Sequence, residues 1–91
     1  MKFYYNGQLI RTSKNHEYTK AVIWQAENGE YITVTCISNP ARAQSQFRHE
    51  FDLAARTLKF YEKDCATNPK FLALLRQELA TMQLVDLERM G

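Results

Sequence analysis

Apolar and polar positions alternate with a period near two through the first part of the chain. Farther on, apolar positions recur every three or four residues. The first period belongs to strands and the second to helices. In the opening segment, KFYYNGQLIRT, Asn6-Gly7 separates two β-favouring runs. Both residues tolerate positive φ, so the pair predicts a two-residue type I′ hairpin turn. In that register Tyr5 faces Gln8, Tyr4 faces Leu9 and Phe3 faces Ile10. Phe3, Tyr5 and Ile10 then share one face, and Lys2, Tyr4, Leu9 and Arg11 share the other.

The segment AVIWQAENGEYITVTCIS repeats the signal at Asn28-Gly29. The same turn sets Ala26 opposite Tyr31, Trp24 opposite Thr33 and Ile23 opposite Val34. One face then carries Ala21, Ile23, Ile32, Val34 and Cys36, a clean core face. Val22, Trp24, Tyr31, Thr33 and Thr35 form an aromatic, Thr-rich face of the kind often half-exposed on sheets.

After Ser38 the period changes. Asn39 suits a helix cap and Pro40 a first helical position, so a helix is expected from there to about Lys63. Its buried stripe is Ala43, Phe47, Phe51, Ala54, Leu58 and Tyr61. Leu53 and Phe60 lie about a quarter-turn away and suggest a second packing surface, for the last helix or for a partner chain. Thr67-Asn68-Pro69 starts a second helix with Phe71, Leu72, Leu75, Leu79 and Met82 on one side. No Pro or Gly stops it before Gly91, so the apolar positions Leu84, Val85, Leu87 and Met90 read as its end. The expected order is ββββαα: two antiparallel hairpins in one three- to four-stranded sheet, with two C-terminal helices on one face. This is an α+β fold forming one domain over residues 1–91.

Composition changes this picture little. At 91 residues the chain can bury one core, hiding roughly 60–65% of its unfolded surface. A net charge of +2 is too mild to demand a nucleic-acid partner and does not exclude one. Cys36 and Cys65 read as reduced thiols acting as small hydrophobes. With His16 and His49 they show no metal-ligand spacing, so no metal and no cofactor are expected. The opening MKFYYNG does not read as a signal peptide, and no run approaches the length of a membrane span. A cytoplasmic protein without membrane contact is the expectation.

Three features invite chemistry. Ser13, His16 and Glu17 hold the residue types of a catalytic triad within RTSKNHEYTK, but without a nucleophile elbow or an oxyanion loop. The same connection is basic: Arg11, Lys14, His16 and Lys20 could hold phosphate oxygens, and Trp24 and Tyr31 could stack on bases. On the first helix Arg42, His49, Arg56 and Lys63 recur every seven residues, with Lys59 nearby, as a basic ridge opposite the core stripe. A solvated face interrupted by Asp52 is the simpler reading of that ridge, with Arg48 and Asp52 spaced for a local ion pair.

The opening NGQLIRTSKNHEYTKAVI resembles openings found in small proteins of bacterial genomes and mobile elements. That resemblance implies no activity, so no residue inherits a role from it. The expected function is a non-enzymatic interaction module, of phage or mobile-element type, that contacts protein or nucleic acid. A homodimer through the C-terminal helices is expected, because a greasy terminal helix needs cover. The alternatives are a small metal-independent ribonuclease of toxin type, using Arg11, His16 and Tyr18, and a structural subunit of a larger assembly.

Overall fold

The computed structural model describes residues 1–64 and 68–90. Strands β1 (Lys2–Tyr5) and β2 (Gln8–Thr12) form the first hairpin, and β3 (Lys20–Gln25) and β4 (Tyr31–Ile37) the second. A 3₁₀ turn over Pro40–Arg42 leads into α1 (Ala43–Asp64), which is followed by α2 (Pro69–Thr81). The chain then returns to strand, as β5 (Gln83–Asp86) and β6 (Glu88–Met90). The fold is α+β, but the order ββββαα is corrected to ββββααββ.

The single sheet is corrected too. Two three-stranded antiparallel sheets form, in the orders β2-β1-β6 and β4-β3-β5. β5 adds to β3, pairing Ala21 with Val85 and Val22 with Leu84, and β6 adds to β1. The chain therefore changes sheet at Leu87, whose N–H donates to the Thr19 carbonyl at 2.9 Å. Helix α2 stops at Met82, which is extended at φ −60°, ψ 131° without a glycine cap. Its last turn is fixed instead by Thr81, whose hydroxyl accepts the Gln25 N–H at 2.9 Å. Sheet pairing beside β3 overrides the helical spacing of the following residues, because strand preference is largely a preference for the packing surface on offer.

The two Asn-Gly turns differ. Asn6 at φ 49° and Gly7 at φ 83° make the expected type I′ turn. In the second hairpin only Gly29 has positive φ, at 88°. Gly29 N–H donates to the Ala26 carbonyl, and Ala26 N–H to the Glu30 carbonyl, both at 2.9 Å. That is a three-residue loop, a type I turn closed by a left-handed glycine. It shifts the register by one, so Gln25 faces Tyr31, Trp24 faces Ile32 and Ile23 faces Thr33. A bulge at Val34 then restores the expected offset, with Ala21 opposite Cys36. In the first hairpin a bulge at Ile10 sets Phe3 opposite Arg11 instead of Ile10.

A one-residue shift sends side chains to the opposite face. Trp24 and Tyr31, expected on one face, lie on two. Strand β3 is buried on both sides: Ala21, Val22 and Ile23 are all fully covered. Val22 and Ile37 pack with Ala43 and Ala54 of α1 and with Met82, and Trp24, Val34, Phe47, Leu79 and Leu84 surround them. Across the strand, Ala21, Ile23 and Val85 pack with Tyr5, Ile10, Tyr31, Cys36 and Leu87. The helices thus cover the face expected to be half-exposed, and the second sheet covers the expected core face. The layers run helices, β4-β3-β5 sheet, β2-β1-β6 sheet. At the open side Gln8 clips the sheets together, donating to the Tyr31 carbonyl at 2.7 Å and accepting its N–H at 2.8 Å.

Candidate functional site

The connection between β2 and β3 brings part of the basic set together. Arg11 places its guanidinium 5.6 Å from the centre of the Tyr18 ring, and His16 stacks on that ring at 5.9 Å. Phe3 meets Tyr18 edge-on at 5.5 Å, which anchors the ring to the sheet. Arg11, Lys14 and His16 are exposed. Lys20 leaves this group, because its ammonium pairs with Asp86 on β5.

The triad residues are occupied elsewhere. Ser13 Oγ accepts the His16 backbone N–H at 2.9 Å, a local turn bond. Ser13 also exchanges backbone hydrogen bonds with Met1 at 3.0 and 2.8 Å. Glu17 pairs with Arg89 on β6. The connection is therefore tied down by two ion pairs, both reaching β5 or β6.

Trp24 and Tyr31 do not form a stacking platform. Trp24 packs against the helix-side core. Tyr31 meets Tyr5 edge-on at 5.0 Å across the sheets, and its hydroxyl accepts from the Asn6 amide at 3.1 Å. The three-residue loop that shifted the register is the physical reason for their separation.

On the helical layer His49, Arg56 and Lys63 are exposed along α1, as the seven-residue spacing requires. Arg42 is exposed but lies in the 3₁₀ turn ahead of α1, off the regular ridge. Among the described residues the ion pairs are Lys20–Asp86, Arg76–Glu62 and Arg89–Glu17, so the expected Arg48–Asp52 pair is not formed.

Sequence spacing also pointed to Leu53 and Phe60, and α2 does not cover them: they are 49% and 59% exposed. Phe71 and Leu74 of α2 are exposed as well. Tyr61 bridges the two helices, edge-on to Phe60 at 5.3 Å and to Phe71 at 4.9 Å. Between the helices runs a shallow groove lined by Glu50, Leu53, Thr57, Leu75 and Glu78. Burial raises the Glu78 carboxyl above its usual range, and the neighbouring Glu50 charge adds to the rise. Glu50 accepts from the Gln46 amide at 3.0 Å. These two acids are a feature that sequence reasoning missed, since only the antiparallel helix pairing brings positions so distant together.

Burial likewise raises the Cys36 thiol, with Arg11 opposing the shift, which fits a packing role. Cys65 lies outside the described residues. Among those described, no group of three or more His, Cys, Asp or Glu is placed to hold a metal. No helix among them is long and apolar enough to cross a membrane. No family model, curated protein or solved structure matches the chain.

Proposed function

We propose that the chain is a non-enzymatic interaction module whose working surface is the outward side of the two-helix layer. The observation that carries this reading is the exposure of Leu53 and Phe60, with Phe71 joined to Phe60 through Tyr61, on a layer whose inner side already fills the core. Large apolar side chains grouped on one surface mark contact with another macromolecule. The basic ridge His49, Arg56 and Lys63 borders the apolar stripe and gives it the polar rim that protein interfaces carry. A photo-crosslinking residue at position 60 tests the reading in cells. A covalent adduct with any protein is expected, and the absence of adducts beside an efficient core-folded control refutes it.

A second reading rests on the Arg11–Tyr18–His16 stack. An aromatic ring with the Arg11 guanidinium over it and the His16 ring stacked on it, in a connection that also carries Lys14, is a fitting contact for a phosphate and a base of single-stranded nucleic acid. Anisotropy of labelled RNA across a salt series tests it. Steep weakening with salt is expected, together with loss of binding in Arg11→Ala; no binding at low salt removes the reading. The same stack is where a metal-independent ribonuclease would act, so RNA cleavage in EDTA by wild type and His16→Ala belongs to that experiment.

A further inference from the structure

The tethered connection and the β2-β1-β6 sheet share a further arrangement. Phe3 on the central strand stands directly opposite Arg11 of β2 and Arg89 of β6. Residues directly opposite one another share a face of the sheet, so Arg11, Phe3 and Arg89 form a row across it. The two arginines are about 10 Å apart at their Cα atoms, the sum of one wide and one narrow antiparallel spacing. The connection lies over this row. Tyr18 meets Phe3 edge-on, the Arg11 guanidinium lies over the Tyr18 ring, and Glu17 pairs with Arg89. The array reads cation, aromatic, cation, and its second cation is covered by the carboxylate of the residue next to Tyr18.

Resting on the reading of the Arg11–Tyr18–His16 stack as a single-strand contact, we infer that Arg89 is a second phosphate-binding residue of that site, and that Glu17 holds its guanidinium until a phosphate displaces the carboxylate. Within a single strand every internal nucleotide carries a phosphate on each side of its base, which is the chemistry a cation–aromatic–cation row fits. Carboxylate and phosphate engage a guanidinium through the same fork of N–H groups, so Glu17 stands where the phosphate binds. The ion pair is suited to exchange. Its side chains are 53% exposed for Arg89 and 63% for Glu17, and pairs so open to water are weak. The connection does not depend on the pair for its place. Ser13 is bonded to Met1, Thr19 N–H donates to the Ile37 carbonyl at 2.9 Å, and the Thr19 carbonyl accepts from Leu87. Release of Glu17 therefore frees Arg89 while the segment that carries Tyr18 stays anchored.

Anisotropy titrations of a labelled single-stranded oligouridine across a salt series test the assignment. Arg89→Ala is expected to lower the slope of log affinity against log salt by about 0.7, the value for one phosphate contact on a single strand, and Arg89→Lys to keep it. Glu17→Gln is expected to tighten binding about twofold to fivefold, the share that an exposed ion pair withholds. Removing any acid tightens binding through the general field, so Glu88→Gln is the control. Glu88 is exposed and neighbours Arg89 on β6, but it points to the opposite face, beside Tyr4, and its loss should tighten binding less. In the Arg89→Ala chain the Glu17→Gln gain falls to the level of that control. Circular dichroism checks each fold, and Arg89→Gln, which keeps most of the aliphatic stem, takes the place of Arg89→Ala if alanine unfolds β6. An unchanged slope in Arg89→Ala, a Glu17→Gln gain no larger than that of Glu88→Gln, or a gain that persists without Arg89 overturns the inference. If binding is lost in Arg11→Ala while one of these results is found, the stack remains the site and only the role of Arg89 falls. No binding by any variant at low salt removes both.

Discussion

Ile23 and Ile32 offer a sharp test of the hairpin register. Regular alternation across a two-residue turn puts both in the core. The three-residue loop separates them: Ile23 is fully buried between the two sheets, whereas Ile32 is 38% exposed. Truncating a fully buried isoleucine removes its transfer energy and leaves a cavity, for a total of about 2–5 kcal/mol. Tight packing among Ala21, Val85, Tyr5 and Ile10 leaves little room to collapse, so a value near 3 kcal/mol is expected for Ile23→Ala. For Ile32→Ala on the outer strand the cost should stay under about 1 kcal/mol. Total stability of ~5–10 kcal/mol lets both variants fold. With a urea slope of about 1–1.5 kcal/mol/M, the midpoint falls by roughly 2–3 M for Ile23→Ala and by less than about 1 M for Ile32→Ala. Urea melts of the two variants and wild type, with equal slopes, provide the measurement. Equal losses, or a larger loss at Ile32, would refute the loop and the bulge together.

Other outcomes follow from the same geometry. Gly29→Ala should cost about 1–2 kcal/mol in a thermal melt, because an L-residue pays at φ 88° even though only the tip of Gln25 lies within 4.0 Å of an added Cβ. Trp24→Ala should lower stability by about 2–4 kcal/mol while leaving RNA binding unchanged, since the ring packs under the helices; a stable variant with lost RNA binding contradicts that placement. Glu78 has a raised carboxyl, so the folded chain keeps its proton to higher pH than the unfolded chain does. Stability therefore falls as pH rises through the folded value, and Glu78→Gln should gain on wild type at neutral pH with the gain shrinking toward about pH 4. A gain that grows in acid reverses the sign and refutes the assignment.

Local signals were legible where the chain itself decides the conformation. Asn6-Gly7 specifies its turn through backbone sterics alone, and Asn68 caps α2 by accepting the Phe71 N–H at 3.2 Å. The second Asn-Gly pair marks a turn but not its length, and the single residue between the two loop types decides the face of every β4 side chain before the bulge. Residues 83–90 were illegible for a different reason. QLVDLERM holds no breaker, and what makes it strand is the open edges of β3 and β1, which do not exist in the sequence. The candidate surfaces divide in the same way. His49, Arg56, Lys63, Leu53 and Phe60 were legible because one helix fixes their relation. Arg11, His16 and Tyr18 assemble because they share one tethered connection. Lys20 is withdrawn by Asp86, a contact between distant positions that spacing does not encode.

The sheet change at Leu87 has a kinetic side. Both sheets take their third strand from one short run, β5 and β6, and each pairing closes a loop that includes the whole helical layer. During synthesis the two hairpins and α1 leave the ribosome with their edges unfilled, and the sheets are completed only when residues 83–90 arrive. Folding should then be late, cooperative and slow for a chain of this size, as non-local pairing makes it. Until that moment the vacant sides of β1 and β3 are open to strands of other molecules, so crowded synthesis is when this chain is most exposed to misassembly.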